Sequence, residues 1–90
     1  MKYCVYTLFS LKDKKLYTGF TADLKDRLSR HKRREAQSTM NRRPLKLIHC
    51  EYFINEKDAK VREVFLKSGF VRNNLKKSLQ KTLSTLTTLC

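Results

Sequence analysis

The sequence predicts a small α+β (α/β) domain, a three-stranded antiparallel sheet flanked by helices in the order ββαβαα. Three observations predict it. Residues 2–9 and 15–20 are dense in Tyr, Val, Thr and Phe and are separated by the polar turn SLKDK, the pattern of a hairpin. Leu24, Leu28 and His31, and later Leu75, Leu79, Leu83 and Leu86, recur at helical spacing. LKLIHCEYF, residues 45–53, is a third apolar run of strand length. Ninety residues allow one core, so a single domain over 1–90 is expected, with the Ser/Thr-rich end after about residue 80 as a frayed tail.

The hairpin comes first. Pairing Phe9 with Lys14 sets Tyr6 directly across from Tyr17, on one face with Cys4 and Gly19; Val5, Thr7, Phe9, Leu16 and Phe20 fill the other. A slip of two residues keeps both tyrosines on that face, whereas a slip of one separates them. Gly19 leaves the backbone open to close approach. Thr21 is the expected N-cap of a helix over 22–34, with Arg27 on the edge of its apolar stripe and Arg30, Lys32, Arg33 and Arg34 adding positive charge. EAQSTMNRRP, residues 35–44, carries Arg42, Arg43 and the only proline, and reads as a mobile basic loop. The run 45–53 is apolar enough for a central or well-covered strand. Asn55, with Asp58 at the third helical position, opens a helix to about Lys67. Ser68-Gly69 breaks it, and one more amphipathic helix begins near Val71.

Charge narrows the function. Lys and Arg number 21 against 8 Asp and Glu, a formal net charge of +13. A polyanion is then the default partner, because each phosphate contact releases counterions. The competing partner is an anionic membrane surface. The sequence has neither a long apolar run nor a signal-peptide core, so a cytoplasmic protein without a membrane span is expected. Cys4, Cys50 and Cys90 lie far apart without a CxxC spacing, and His31 and His49 stand alone. Structural zinc and a disulfide framework are therefore disfavoured, and Cys4 and Cys50 read as small buried apolar residues. The leucines of the last helix are assigned to the core, which favours a monomer.

Glu63 is the anomaly of the second half. It shares a helical face with Ala59 and Leu66, and a carboxylate among apolar neighbours is either paired or functional. Lys67 at i+4 and Arg27 from the other helix are the candidate partners. Tyr6 and Tyr17 have a packing explanation as well, as an aromatic pair across two strands.

Five segments taken in order resemble one family. CVY, ten residues, YTG, then FTADLKDR and RLSRH are similar to the opening of the GIY-YIG endonucleases. RRPLKLIHCEYF resembles the family's third strand with its lead-in, KDAKVREVFLKSGF the helix bearing its essential glutamate, and VRNNLKK the segment that follows in small stand-alone members. The likeness extends to about Leu79 and includes the N-terminal nuclease domain of the excinuclease that acts in nucleotide excision repair. Carried over position by position, it implies catalytic roles for Tyr6, Tyr17 and Arg27, and for Glu63 as the ligand of a divalent metal, Mg²⁺ or Mn²⁺. His31 matches a position where this subgroup often has histidine. Lys15, Gly19, Arg30, Arg34, Arg42 and Arg43 are the expected substrate contacts. The triplets depart from the family name at Cys4, Val5 and Thr18.

The implied chemistry is coherent. Phosphodiester hydrolysis needs an activated water and stabilisation of charge on the phosphate. A phenol of ordinary pKa, about 10, is a poor base at neutral pH, so Arg27 or a lysine is expected to lower a tyrosine's pKa. Arg27 also suits bidentate contact with phosphate oxygens. Mg²⁺ keeps several waters and takes one or two carboxylates plus substrate phosphate, so one Glu63 suffices. The implied function is a metal-dependent DNA endonuclease, acting in repair or on nicked, flapped or branched DNA, with a protein partner as a candidate targeting device. The alternative is a catalytically inactive nucleic-acid-binding module of the same fold.

Overall fold

The chain runs β1 (Tyr3–Ser10), β2 (Leu16–Thr21), α1 (Leu24–Lys32), β3 (Leu45–Phe53), α2 (Glu56–Leu66), α3 (Gly69–Ser78) and α4 (Gln80–Thr88) in the computed structural model, which describes residues 2–32 and 44–88. The expected ββαβαα order holds. Its last helical segment is divided at Leu79, whose φ −105° and ψ 22° leave the helical region, and the Ser/Thr-rich end forms α4. Arg34, Arg42, Arg43 and nearly all of the expected loop 35–44 lie outside the described residues.

The three strands are ordered β2-β1-β3, and both pairings are antiparallel. β3 is therefore an edge strand with no fully buried residue, not the central or well-covered one that its apolar content suggested. The reason is charge. β1 carries no ionised side chain and buries every residue from Cys4 to Ser10, whereas β3 contains Lys46, His49 and Glu51, which a doubly covered strand would leave desolvated. Cys50 follows its strand to the edge and is exposed, against expectation; Cys4 is buried.

The hairpin register also differs from the first expectation. Tyr6 pairs with Gly19, and Tyr17 pairs with Leu8, the slip of two residues that keeps both phenols on one face. The turn decides this. Ser10 N–H donates to the Lys15 carbonyl at 3.0 Å and Lys14 N–H to the Ser10 carbonyl at 2.8 Å. Ser10 Oγ accepts from Asp13 N–H, and Asp13 Oδ1 accepts from Lys15 N–H. Lys14 adopts φ 62°, the left-handed conformation that closes the loop.

Two clusters cover the two faces of β1. Val5 packs with Ala59, Leu66 and Leu75 from α2 and α3, while Cys4, Tyr6 and Leu8 pack with Tyr17, Leu24 and Leu28 on the α1 side. A bulge between the Thr7–His49 and Leu8–Leu47 pairs leaves Ile48 as the extra residue. It turns Leu45 and Leu47 to the α1 side, where unbroken register would have placed Lys46 and Ile48.

Helix α1 begins later than expected. Thr21 is still paired in β2, opposite Cys4, and its hydroxyl exchanges hydrogen bonds with Asp23 N–H and C=O, both at 3.0 Å. Asp23 is the cap, its Oδ1 accepting from Asp26 N–H at 3.1 Å. Asn55 caps α2 as expected, through Lys57 N–H at 2.8 Å and Asp58 N–H at 3.2 Å. A network not foreseen ties α2 to β3. Arg62 donates to both oxygens of Glu51 at 2.8 and 3.1 Å, and His49 Nε2 lies 2.9 Å from Glu51 Oε2. Among the described residues no helix is long and apolar enough to cross a membrane.

Candidate active site

The two phenols and His31 converge on the α1 side of the hairpin. Tyr6 Oη lies 2.9 Å from His31 Nε2. The ring centres of Tyr6 and Tyr17 are 6.4 Å apart, and His31 stands edge-on to both, at 5.8 and 5.4 Å. The pieces arrive by simple means. Leu24 and Leu28 anchor α1 on the cluster around Tyr6, and the same helical stripe one turn further on brings His31 inward to 3% exposure.

Gly19 has a different use from the expected one. A Cβ there would stand 2.5 Å from Tyr6 Oη and 2.6 Å from its Cζ. The room that glycine leaves is filled by the protein's own phenol, and Gly19 is a buried support for the Tyr6 ring.

Electrostatics around Tyr6 also overturn an expectation. Burial pushes its phenol well above the ordinary tyrosine value, and Tyr17 pushes further the same way; the charge and hydrogen bond of Arg27 oppose the rise without cancelling it, and Glu63 adds a small upward contribution. Arg27 does lower the phenol's pKa, as expected, but a fully buried ring loses more from desolvation of the phenolate than one guanidinium returns. Tyr6 therefore stays a neutral phenol. Burial, with Arg27 second, holds His31 below its usual value, so it is a neutral imidazole at pH 7. The pair is an uncharged Tyr–His hydrogen bond.

Tyr17 is half-buried and lines a groove of about 450 Å³ along the outer edge of β2, together with Asp13, Lys15, Thr18, Lys67 and Arg72. Glu63, on α2, is near enough for its charge to reach Tyr6. Its carboxylate is about one-fifth exposed and takes the ammonium of Lys67 at 3.1 Å, so of the two anticipated partners Lys67 is the one engaged. Ala59 and Leu66, its companions on the helical face, are buried. Arg27 is half-buried beside Tyr6, whereas Arg30 is exposed and held by Asp26 at 3.1 Å. Sequence reasoning missed Arg72; only the reversal at Ser68-Gly69 carries it back to the groove.

Among the described residues no three His, Cys, Asp or Glu side chains stand close enough to cage a metal. The donor set is one carboxylate that already holds a cation. That fits a hard, hydrated divalent ion completing its shell with water and a phosphate, and does not fit a closed zinc site.

The model of the GIY-YIG catalytic domain matches residues 2–76. A UPF0213 protein of Clostridium perfringens is 41% identical over 64 residues, covering 70% of this chain and 68% of its own. One from Staphylococcus haemolyticus is 34% identical over 76 residues, covering 83% and 92%, and one from Natronomonas pharaonis is 40% identical over 65 residues, covering 71% and 75%. No solved structure matches. With the sheet, the paired phenols and the glutamate helix in the family's order, the chain belongs to the GIY-YIG family of nuclease-type catalytic domains, alongside the UPF0213 proteins.

Proposed function

We propose that the protein is a metal-dependent endonuclease that hydrolyses DNA phosphodiester bonds, in repair or in processing of nicked, flapped or branched DNA. One observation carries the reading: Tyr17, Arg27, His31 and Glu63, which with Tyr6 are drawn from four separate elements, come within interaction range of the Tyr6 ring. Titratable groups with shifted pKa values gathered beside a groove support a catalytic site.

The chain's own groups divide the work. Arg27 binds phosphate oxygens and offsets their charge. Tyr17, half open to the groove, meets the attacking water or the phosphate. The Tyr6–His31 hydrogen bond, buried beside Tyr17, positions the Tyr17 ring at the groove. Glu63 would hold the divalent ion, which supplies Lewis acidity at the phosphate. Lys67, now paired with that carboxylate, would add its charge to the anion-binding surface beside it. Cytoplasmic residence and a monomeric state belong to the same proposal, as does targeting by a partner protein.

The ion pair from Lys67 to Glu63 favours a second reading, a binding module whose glutamate is satisfied internally. Labelled single-stranded, duplex, flap and branched DNA, incubated with Mg²⁺ or Mn²⁺ and with chelator, separates the two. Cleavage that needs metal and disappears in Glu63→Gln is the expected result. DNA binding that is equal in wild type and variant, with no cleavage of any substrate, overturns the nuclease reading.

A further inference from the structure

We propose that Lys15, Lys67 and Arg72 form a phosphate seat along the outer edge of β2, holding a backbone phosphate next to the one at the Tyr17 end of the groove. The groove has about 450 Å³ of space, enough for a phosphodiester, and these cations line it with Tyr17 and Thr18; Asp13 is the one carboxylate among its described lining residues. Asp13 is engaged in the hairpin turn, where Oδ1 accepts from Lys15 N–H at 3.0 Å. The cations come from three elements of separate origin, the β1–β2 turn, the end of α2 and the first turns of α3, so no single helix face accounts for their meeting.

Arg72 distinguishes the seat from a general basic surface. Its Nη2 donates to the Lys67 carbonyl at 3.1 Å, fixing the guanidinium across the break between α2 and α3. Its Nε is buried and has no acceptor among the described residues. A desolvated guanidinium N–H without a partner is costly, so the Arg72 side chain gains from a small shift that meets an anionic acceptor in the groove it lines. Guanidinium geometry suits two phosphate oxygens at once. Lys67, on its ion pair with Glu63, links the seat to the carboxylate expected to hold the metal.

The seat rests on the nuclease reading only for the identity of the polyanion, and its test reads binding in chelator, where no cleavage occurs. Fluorescence anisotropy of a labelled DNA oligonucleotide, over a salt series, is compared for wild type, Arg72→Gln, Lys15→Gln and the control Lys81→Gln on α4. Arg72→Gln is expected to weaken binding roughly tenfold and to reduce the slope of log K against log salt by about 1, with Lys15→Gln in the same direction. Lys15 keeps its backbone bonds on substitution, so its effect stands even where Arg72→Gln loosens the α2–α3 junction. If both variants bind with the affinity and slope of Lys81→Gln, charge acts only at long range and the seat is overturned. The two proposals fail separately. Loss of binding in the variants with no cleavage by wild type leaves the seat standing; cleavage by wild type with unaltered binding in the variants removes it.

Discussion

Gly19 matters, among single residues, for the side chain it lacks. Its missing Cβ is space that the Tyr6 ring occupies, so Gly19→Ala forces atoms 2.5–2.6 Å apart to separate. In a packed interior such overfilling costs about 1–3 kcal/mol, and for a domain of this size each kcal/mol lowers Tm by about 4–8 °C. Gly19→Ala should melt lower by that order and, because the phenol must shift from its present place beside His31, lose the nuclease activity proposed above. A thermal melt alongside a cleavage assay checks both; a variant with wild-type Tm would show that the ring is not held against Gly19. Gly69 has nothing near its absent side chain, so Gly69→Ala is the natural comparison. Tyr6 adds a second lesson at this scale. A guanidinium beside a phenol favours a lowered pKa, and the complete burial of this ring reverses the sign.

At the scale of elements, the hydrogen bonds that hold α2 matter most, because α2 carries Glu63. Arg62 precedes Glu63 and grips Glu51 of β3 through two bonds, with His49 on the same carboxylate. Burial alone would raise the Glu51 pKa, but the bonds from Arg62 and His49 outweigh it and bring the carboxyl below its ordinary value of 4.5. A carboxylate with a depressed folded pKa stabilises the fold above its unfolded value, and that contribution is lost as pH falls from about 4.5 through the folded pKa. Acid unfolding followed by circular dichroism should therefore be steeper below pH 4.5 for wild type than for Glu51→Gln, which begins less stable at pH 7. Parallel curves would mean that the network does not couple to folding. The capping bonds act more locally: Asp23 and Asn55 fix where α1 and α2 begin, and hence which residues turn inward.

For the whole molecule, charge sets the terms. A net +13 on 90 residues is self-repelling and is offset only in part by surface pairs such as Lys60–Glu56 and Arg30–Asp26. Raising salt from about 0.02 to about 0.3 M shortens the screening length from roughly 20 Å to below 10 Å. The expected outcome is a higher Tm at higher salt together with weaker DNA binding, opposite responses from one cause. A melting temperature that falls over the same range would mean that ion pairs, not repulsion, dominate the fold. The groove along β2 gathers three of these cations on one side of the molecule, so the charge that costs stability is also the charge available to hold phosphate.

Much was legible in the sequence, and for identifiable reasons. Strand and helix positions followed from alternation, helical spacing and the Asn55 cap, all of which act between residues close in the chain, although the first helix starts from Asp23 and not from Thr21. The presence of both tyrosines on one face followed from parity, which a slip of two residues preserves. The partner of Glu63 was narrowed to Lys67, at i+4 on its own helix, and Arg27 from the other helix, and the structure engages Lys67. What the chain alone left open depended on neighbours distant in sequence. That β1 is central, that Cys50 is exposed, that Tyr6 occupies the space over Gly19 and that Arg72 returns to the edge of β2 are all consequences of packing. Local hydrogen bonding and periodicity are written into short segments, whereas burial, and with it the protonation of Tyr6 and His31, is a property of the assembled core that only the tertiary structure decides.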